Sequence, residues 1–282
     1  MDWLIRAGES AEAALEILTP HPALAGLVSQ LGFELEGVTA ALDDDPERHR
    51  RMRDRDEALT RQQQVHLEKV LVAANHRLSA DKQVGQSETA LDQGWLMRFC
   101  AGAEAAATDI EQAVWAGLLV AEMRAPGSIG RRTLSFVRDM ETWELESFTE
   151  YGAFAFEFES GWRFMFEEEL ARREMWTYGR EIDLTSHWIA IGLLAGEALT
   201  FDAAAVRGLK VRYRQREWEL GPWDGEQQAM SLCCYRKFTP VGQQLASAMK
   251  TKSFNGFARN VIQALNADRG MGFREVPAEA NS

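Results

Sequence analysis

The chain has 282 residues, of which 46% are hydrophobic and 26% are charged, and its formal net charge is −12. A chain of this length can bury a sizeable core in one large or two modest domains, and its composition is typical of a folded protein rather than a disordered one. The charge is unevenly divided, because residues 205–282 hold 12 Lys and Arg against seven Asp and Glu. This asymmetry indicates a polyanion-facing C-terminal part, an intramolecular charge match or simply a solvated face.

Targeting features and cysteines bear on the compartment. The N-terminus has acidic residues around a short apolar patch instead of a secretory signal, and the longest apolar run, 188–199, falls short of the ~20 residues of a spanning helix. Cys233 and Cys234 are adjacent and Cys100 stands alone, which suits neither a disulfide framework nor a Cys-x-x-Cys metal site. We therefore expect a cytoplasmic protein with free cysteines and no cofactor or metal.

The first 107 residues predict three helices. Residues 3–18 have apolar side chains at helical spacing and a glutamate-rich polar side, which favours packing or homo-oligomerisation over binding to a membrane surface. Residues 46–80 predict one long helix opened by a proline. Its first half alternates Arg with Asp and Glu, which favours a solvent-exposed, ion-paired helix over a nucleic-acid-binding one, and its second half gains an apolar stripe. Residues 89–107 predict the third helix.

Residues 108–140 predict two helices joined at Pro126-Gly127. Thr108 and Glu111 form a capping-box pattern at the first helix start, and apolar residues then recur around Trp115. We expect Ser128 to cap the second helix. Glu122 lies on the same side as Trp115, so its carboxylate should be buried and paired, and the Arg131 or Arg132 side chain is the natural partner.

This segment resembles an uncharacterised bacterial family, the domain of unknown function numbered 2806. The residues that carry the resemblance are Gln112, Trp115, Leu118, Leu119, Glu122, Pro126, Gly127, Ser128, Arg132, Thr133 and Leu134. Residues 61–78, 189–194 and 238–245 resemble further motifs of the family, so that the likeness covers roughly residues 45–250. Phe238-Thr239 departs from the family's usual leucine-threonine pair, and the resemblance brings no catalytic role with it.

The second half of the chain predicts mixed structure. A helix over 142–151 ends at Gly152, and alternating aromatic residues over 154–166 then predict a β-hairpin with a turn at Ser160-Gly161. Helices are predicted over 168–178 and 186–198, a strand over 209–220, and a candidate partner strand for it over 229–238. Thr239-Pro240 opens a final helix through residue 249. The helix, strand, strand and Thr-Pro-x-Gly helix are similar to a winged-helix arrangement, an analogy that assigns no function.

Acidic residues offer one catalytic hypothesis. Residues 141–170 hold nine glutamates against one basic residue, and clustered carboxylates can bind Mg²⁺ or Ca²⁺. A metal-dependent hydrolase would use Glu157, Glu159 or Glu167 together with His187 and requires these side chains to converge in a cleft. The alternating pattern also permits a simpler interpretation, in which Glu157 and Glu159 are solvated residues of the hairpin.

Taken together, these patterns predict an α+β fold with a predominantly helical region over 1–151 and a mixed, winged-helix-like region over 152–282. We expect a non-enzymatic interaction or regulatory protein, from a setting such as bacterial phage defence. Its C-terminal basic strand would contact nucleic acid or a protein partner. The expected contact residues are Arg207, Lys210, Arg212, Arg214 and Arg216. Lys210, Arg212 and Arg214 should point to one side of the strand, and Arg216 should continue that alternation.

Overall fold

The computed structural model describes residues 46–80, 91–178, 184–202, 208–221, 232–254 and 256–277. The predicted helix over 3–18 and Arg207 lie outside these residues. The chain divides into two compact units, Met1–Val65 and His66–Ser282. The described part of the first unit is the largely exposed beginning of a long helix. The predicted boundary after residue 151 stays a prediction.

The first half of the described chain is helical, as the periodicity predicts. Its helices are α1 (Pro46–Ala80), α2 (Gln93–Ala105), α3 (Asp109–Arg124), α4 (Arg131–Arg138) and α5 (Thr142–Tyr151). The bounds predicted for α1 and α5 are confirmed. At the start of α3, the Thr108 hydroxyl accepts the Glu111 N–H and the Glu111 carboxylate accepts the Thr108 N–H, so that the capping box is also confirmed.

The second half adds an antiparallel sheet. A short 3₁₀ turn (Gly152–Phe154) leads into strands and helices in the order β1 (Phe156–Phe158), β2 (Arg163–Phe166), α6 (Glu169–Thr177), α7 (Thr185–Ala190), β3 (Leu199–Asp202), β4 (Lys210–Tyr213), β5 (Arg216–Leu220), β6 (Leu232–Lys237), α8 (Pro240–Ala248), α9 (Phe257–Arg269) and β7 (Phe273–Glu275). Within the described residues the strands are ordered β3-β6-β2-β1-β4-β5-β7. The fold is therefore α+β with a helical N-terminal half.

The two faces of the sheet differ in chemistry. Phe156 is in register with Phe164, and Val211 with Trp218, so that large apolar residues share one face. Helix α9 covers that face, and the Phe257 ring lies 6.0 Å from the Phe156 ring. The other face carries charged residues, because Glu157 is in register with both Arg163 and Arg212. Two of the predicted binding residues, Lys210 and Arg212, lie on this charged face.

Several elements differ from the sequence prediction. Residues 209–220 form the β4–β5 hairpin rather than one strand, because Arg214 adopts a left-handed backbone (φ 60°) that reverses the chain. Strand β6 pairs with β2 and β3 and not with the preceding hairpin. The helix predicted over 186–198 ends at Ala190, because the chain turns at Gly192 (φ 86°). Helix α9 and strand β7 follow the helix that we predicted to be the last.

Two further expectations concern membrane-spanning helices and the winged-helix comparison. No helix in the described ranges combines the length and apolarity that crossing a lipid bilayer requires. The winged-helix comparison stays a prediction: helix α8 does follow β6 directly, but β6 lies two strands away from β1 in a sheet of seven described strands.

Candidate functional site

Carboxylates neutralise most of the basic residues that were predicted to bind a partner. Lys210 Nζ lies 3.3 Å from Glu217 Oε1, and this contact raises the pKa of Lys210. Arg212 Nη2 lies 2.7 Å from Glu157 Oε1. Lys210 and Arg212 share the charged face of the sheet, as the alternation predicts. A continuous cationic row along β4 is nevertheless absent, because each cation has an anionic neighbour.

Arg216 does not continue this row. Arg216 is in register with Tyr213, so its side chain projects from the aromatic face of the sheet. Its Nε lies 3.4 Å from Glu275 Oε1. The prediction that Arg216 extends the alternation of Lys210 and Arg212 is wrong. The physical reason is the two-residue turn at 214–215, which changes the face on which the following residues project.

Arg214 occupies the β4–β5 turn and is tied to another loop. Its Nη2 donates hydrogen bonds to the Thr251 hydroxyl and, at 3.0 Å, to the Lys252 carbonyl oxygen. Its guanidinium carbon lies 5.6 Å from the centre of the Tyr213 ring. Arg214 therefore fixes the segment after α8 against the hairpin. The exposed Lys250 and Lys252 flank Thr251 in this segment.

A second arginine belongs to the same electrostatic environment. Burial lowers the pKa of the Arg163 guanidinium, Glu157 raises it, and the positive charge of Arg214 lowers it further. Arg163 Nη2 lies 3.7 Å from the Glu157 carboxylate that also binds Arg212. We call this set the basic turn, and its members are Arg163, Arg212, Arg214, Lys250 and Lys252. Arg163 and the two lysines were not selected from the sequence, because each is distant in the chain from the β4–β5 turn.

The residues of the hydrolase hypothesis lie in separate environments. Glu157 binds Arg212, and Glu167 accepts a 2.8 Å hydrogen bond from the nearly buried Arg236. Glu159 is exposed on the hairpin. His187 instead contacts Glu144, with 2.7 Å between Nε2 and Oε1. Within the part of the chain that the structure describes, no group of three His, Cys, Asp or Glu side chains has the arrangement of a metal site.

The contact between His187 and Glu144 was not predicted. Glu144 also accepts the Glu141 N–H at 2.9 Å, as the third residue of the α5 capping box. The rings of Trp143 and Trp188 each lie 4.9 Å from the His187 ring. The spacing Glu141-x-x-Glu144 is typical of a capping box and could have been recognised in the sequence. The contact with His187 on α7 could not, because 43 residues separate it from Glu144.

The residues of the family signature are mostly structural. Gln112 is buried and donates a 3.0 Å hydrogen bond to the Ala106 carbonyl oxygen. Trp115 is buried as expected, with its ring edge on to Phe99. Pro126 and Arg132 are exposed. Gln112 and Trp115 therefore join α3 to the end and the side of α2, and Pro126 lies in the turn between α3 and α4.

Glu122 is buried, but its partners differ from the prediction. Its two carboxylate oxygens accept the backbone N–H groups of Gly127 (2.6 Å) and Ile129 (2.8 Å). Arg131 contacts Asp92 instead. Ser128 does not cap α4, because its hydroxyl donates to the Ala121 carbonyl oxygen, and Gly130 is the residue that precedes the helix. The tight turn presents its own amides to the carboxylate, which needs no arginine.

The separate family motifs meet at α8. The Thr239 hydroxyl donates to the Gly192 carbonyl oxygen (2.6 Å), and the Gln243 amide donates to the Gly161 carbonyl oxygen (2.8 Å). Gln244 Oε1 accepts the Gly130 N–H at 2.9 Å. From α1, Arg77 donates to the Ala248 carbonyl oxygen. Residues 238–248 therefore connect to the three other segments that carried the resemblance.

These features define an α+β protein in which a helical hairpin and a sheet are joined through one short helix. Residues 50–262 match the family described as "Protein of unknown function (DUF2806)", and the chain belongs to this family. The resemblance inferred from the signature residues is thereby confirmed. No curated protein and no solved structure matches the chain.

Proposed function

We propose that this chain is a non-enzymatic interaction or regulatory protein that contacts the phosphates of a nucleic acid through the basic turn. The supporting observation is that the Arg214 side chain holds the Lys250–Lys252 segment against the hairpin. Besides burial, the positive charge of Arg214 lowers the pKa of Arg163. Cations from β2, β4 and the segment after α8 are thus concentrated in one region. The hydrolase alternative lacks comparable support, because its side chains do not converge.

Phosphate is the anion that fits this region best. The Arg212 guanidinium is already bound by Glu157. It therefore contributes to the electrostatic potential of the region more than it offers free hydrogen-bond donors to a phosphate. Arg214 and the two lysines carry exposed charge at a turn, which suits contacts with the phosphate backbone rather than reading of base edges. The proposal therefore implies binding with little sequence preference and strong salt dependence. The cytoplasmic location, defence setting and homo-oligomer stay predictions.

The test is a fluorescence anisotropy titration of a labelled 20-nucleotide duplex at 50 and 200 mM salt. For the double variant Arg214→Glu and Lys252→Glu we expect binding to weaken about tenfold or more at low salt, with a shallower salt dependence because phosphate contacts are lost. The double variant Arg138→Glu and Arg173→Glu is the control for charge reversal, since it changes the net charge equally and both arginines lie outside the basic turn, paired with Asp139 and Glu169.

Two outcomes would overturn the proposal. One is a double variant that binds the duplex as tightly as the unchanged protein. The other is an equal loss in the control with Arg138→Glu and Arg173→Glu, which would show dependence on net charge alone. Retained binding of an acidic protein partner with no duplex binding would assign the basic turn to protein recognition instead.

A further inference from the structure

A surface pocket of about 370 Å³ lies between the start of α2 and the α3–α4 hairpin turn. Its lining includes Asp92, Trp95, Glu122, Ile129 and Arg131. The volume is in the range of small-molecule sites. The pocket involves none of the residues of the basic turn, so a ligand here would be independent of the proposed nucleic-acid contact.

Glu122 gives the pocket its charge. The residue is only 3% exposed, and it forms no ion pair with any residue in the described ranges. A buried carboxylate without a counter-charge is unfavourable unless hydrogen bonds compensate for lost hydration. The Gly127 and Ile129 amides occupy one acceptor position on each oxygen. A carboxylate has about four such positions, so acceptor capacity remains for a further donor.

The pocket rim does not cancel this charge. Arg131 binds Asp92 through Nη2, and this hydrogen bond lowers the pKa of the Asp92 carboxyl. The pair is more than half exposed and is neutral as a unit. One negative charge, that of Glu122, is therefore left over, which favours a cationic ligand over an anionic one.

Apolar groups complete the pocket. The Trp95 indole is fixed in place, because its Nε1 donates to the Ile129 carbonyl oxygen at 2.8 Å and its ring stacks on Phe99 with 5.3 Å between centroids. Trp95 and Ile129 line the pocket but are each only 2% exposed, so they present a narrow, rigid apolar edge beside the carboxylate. A ligand with a cationic end and a short apolar body would match both parts.

We propose that this pocket binds a small organic cation, namely a primary ammonium on a short alkyl chain. The ammonium group donates to the free acceptor positions of Glu122, and the alkyl chain packs against Trp95 and Ile129. Asp92 and Arg131 lie at the rim of the pocket. The negative charge of Asp92 strengthens the binding of a cation, and the positive charge of Arg131 weakens it.

The probe is n-butylammonium, followed by ¹H–¹⁵N NMR on the full chain. The signals to follow are the backbone N–H groups of Gly127 and Ile129 and the indole N–H of Trp95. We expect saturable shift changes with n-butylammonium and none with butyrate or n-butanol, which have the same alkyl length without the positive charge. Absence of saturable shifts with n-butylammonium, or an equal response to n-butanol, would overturn the proposal.

Charge variants at the rim test the electrostatic argument. Arg131→Gln removes the rim cation, so n-butylammonium should bind about fivefold more tightly, whereas Asp92→Asn should weaken binding about fivefold. Arg138→Gln is the matched control on α4, because Arg138 pairs with Asp139 and does not line the pocket. Glu122→Gln should abolish binding, and the rim variants remain decisive if that variant does not fold. Unchanged affinity in both rim variants would contradict a charge-selected site.

Discussion

Gly242 lies directly against the carbonyl group of Leu193. A β-carbon added at position 242 would be 2.0 Å from the Leu193 oxygen, closer than any side chain allows. The Thr239 hydroxyl reinforces this contact by accepting the Gly242 N–H and donating to the Gly192 carbonyl oxygen. The first turn of α8 therefore packs backbone to backbone on the segment after α7, which explains why a glycine occurs in the Thr-Pro-x-Gly motif.

Gly242→Ala should destabilise the protein by about 3 kcal/mol, because the new methyl group overlaps backbone atoms that cannot move independently. Urea unfolding monitored by circular dichroism would measure the change. Gly196→Ala is a suitable control, since a β-carbon there has its nearest neighbour at 4.0 Å. Equal stability of the two variants would contradict the close approach of α8 to Leu193.

Gln244 makes the corresponding connection to the family signature. Its Oε1 accepts hydrogen bonds from the Gly130 N–H and from the hydroxyl of the buried Thr133. Gln244→Ala should cost about 2 kcal/mol, because two partly buried donors lose their acceptor. Gln244→Glu keeps an acceptor and should recover part of that loss.

The same urea unfolding assay can test Gln244 against Gln263, an exposed glutamine on α9. Gln263→Ala should change stability by less than about 0.5 kcal/mol. A Gln244→Ala variant as stable as Gln263→Ala would show that the contacts with Gly130 and Thr133 contribute little.

The capping box of α3 predicts a pH dependence. Burial raises the pKa of Glu111, but hydrogen bonds from the Thr108 N–H, the Thr142 hydroxyl and the Ala107 N–H outweigh burial, and the folded-state pKa lies below its ordinary value. A carboxyl whose pKa is depressed on folding stabilises the protein above its unfolded pKa of about 4.3, and this contribution disappears as the pH falls through the folded pKa.

Glu111→Gln should therefore lower the melting temperature at pH 7 relative to the unchanged protein. The difference should begin to shrink as the pH falls below the unfolded pKa of about 4.3, and it should vanish as the pH falls through the lower folded pKa. Thermal unfolding from pH 7 to pH 3.5 would follow it. A difference that stays constant over this range would exclude an ionised Glu111 as the source.

Local rules predicted the helical half well. Thr108 and Glu111 cap α3 through hydrogen bonds within one helical turn, and Pro46 starts α1 through its fixed φ and its missing N–H, so sequence spacing reveals both. The α3–α4 hairpin and its buried Trp115 face follow from periodicity for the same reason.

The sheet and the candidate sites depend on contacts between residues that are far apart in the chain, and such contacts are hard to predict from the sequence. Nothing near Arg214 predicts a left-handed turn, since neither glycine nor asparagine occurs there and the bonds that hold it come from Thr251 and Lys252. The charge on β4 was visible, but the neutralising Glu157 and Glu217 lie on other strands. Likewise, the burial of Glu122 was predicted, but the amides that bind it follow from the turn geometry.

Cysteine reactivity tests the packing of the sheet. Cys233 is fully buried on β6, and burial, followed by the nearby Glu168 charge, raises the pKa of its thiol. Cys100 and Cys234 are half-buried. Because the thiolate is the reactive form, Cys233 should be alkylated by iodoacetamide at pH 8 more slowly than either of the others. In urea all three should react at similar rates.

Cys233 and Cys234 are neighbours, so single variants are needed to separate them. Cys234→Ser leaves Cys233 and Cys100, and Cys233→Ser leaves Cys234 and Cys100 as the matched pair. Mass spectrometry of the intact chain should show one fast label in Cys234→Ser and two in Cys233→Ser, since serine at 234 leaves the buried thiol in place. Two fast labels in Cys234→Ser would mean that the β6 backbone exposes Cys233, contrary to its position between β2 and β3.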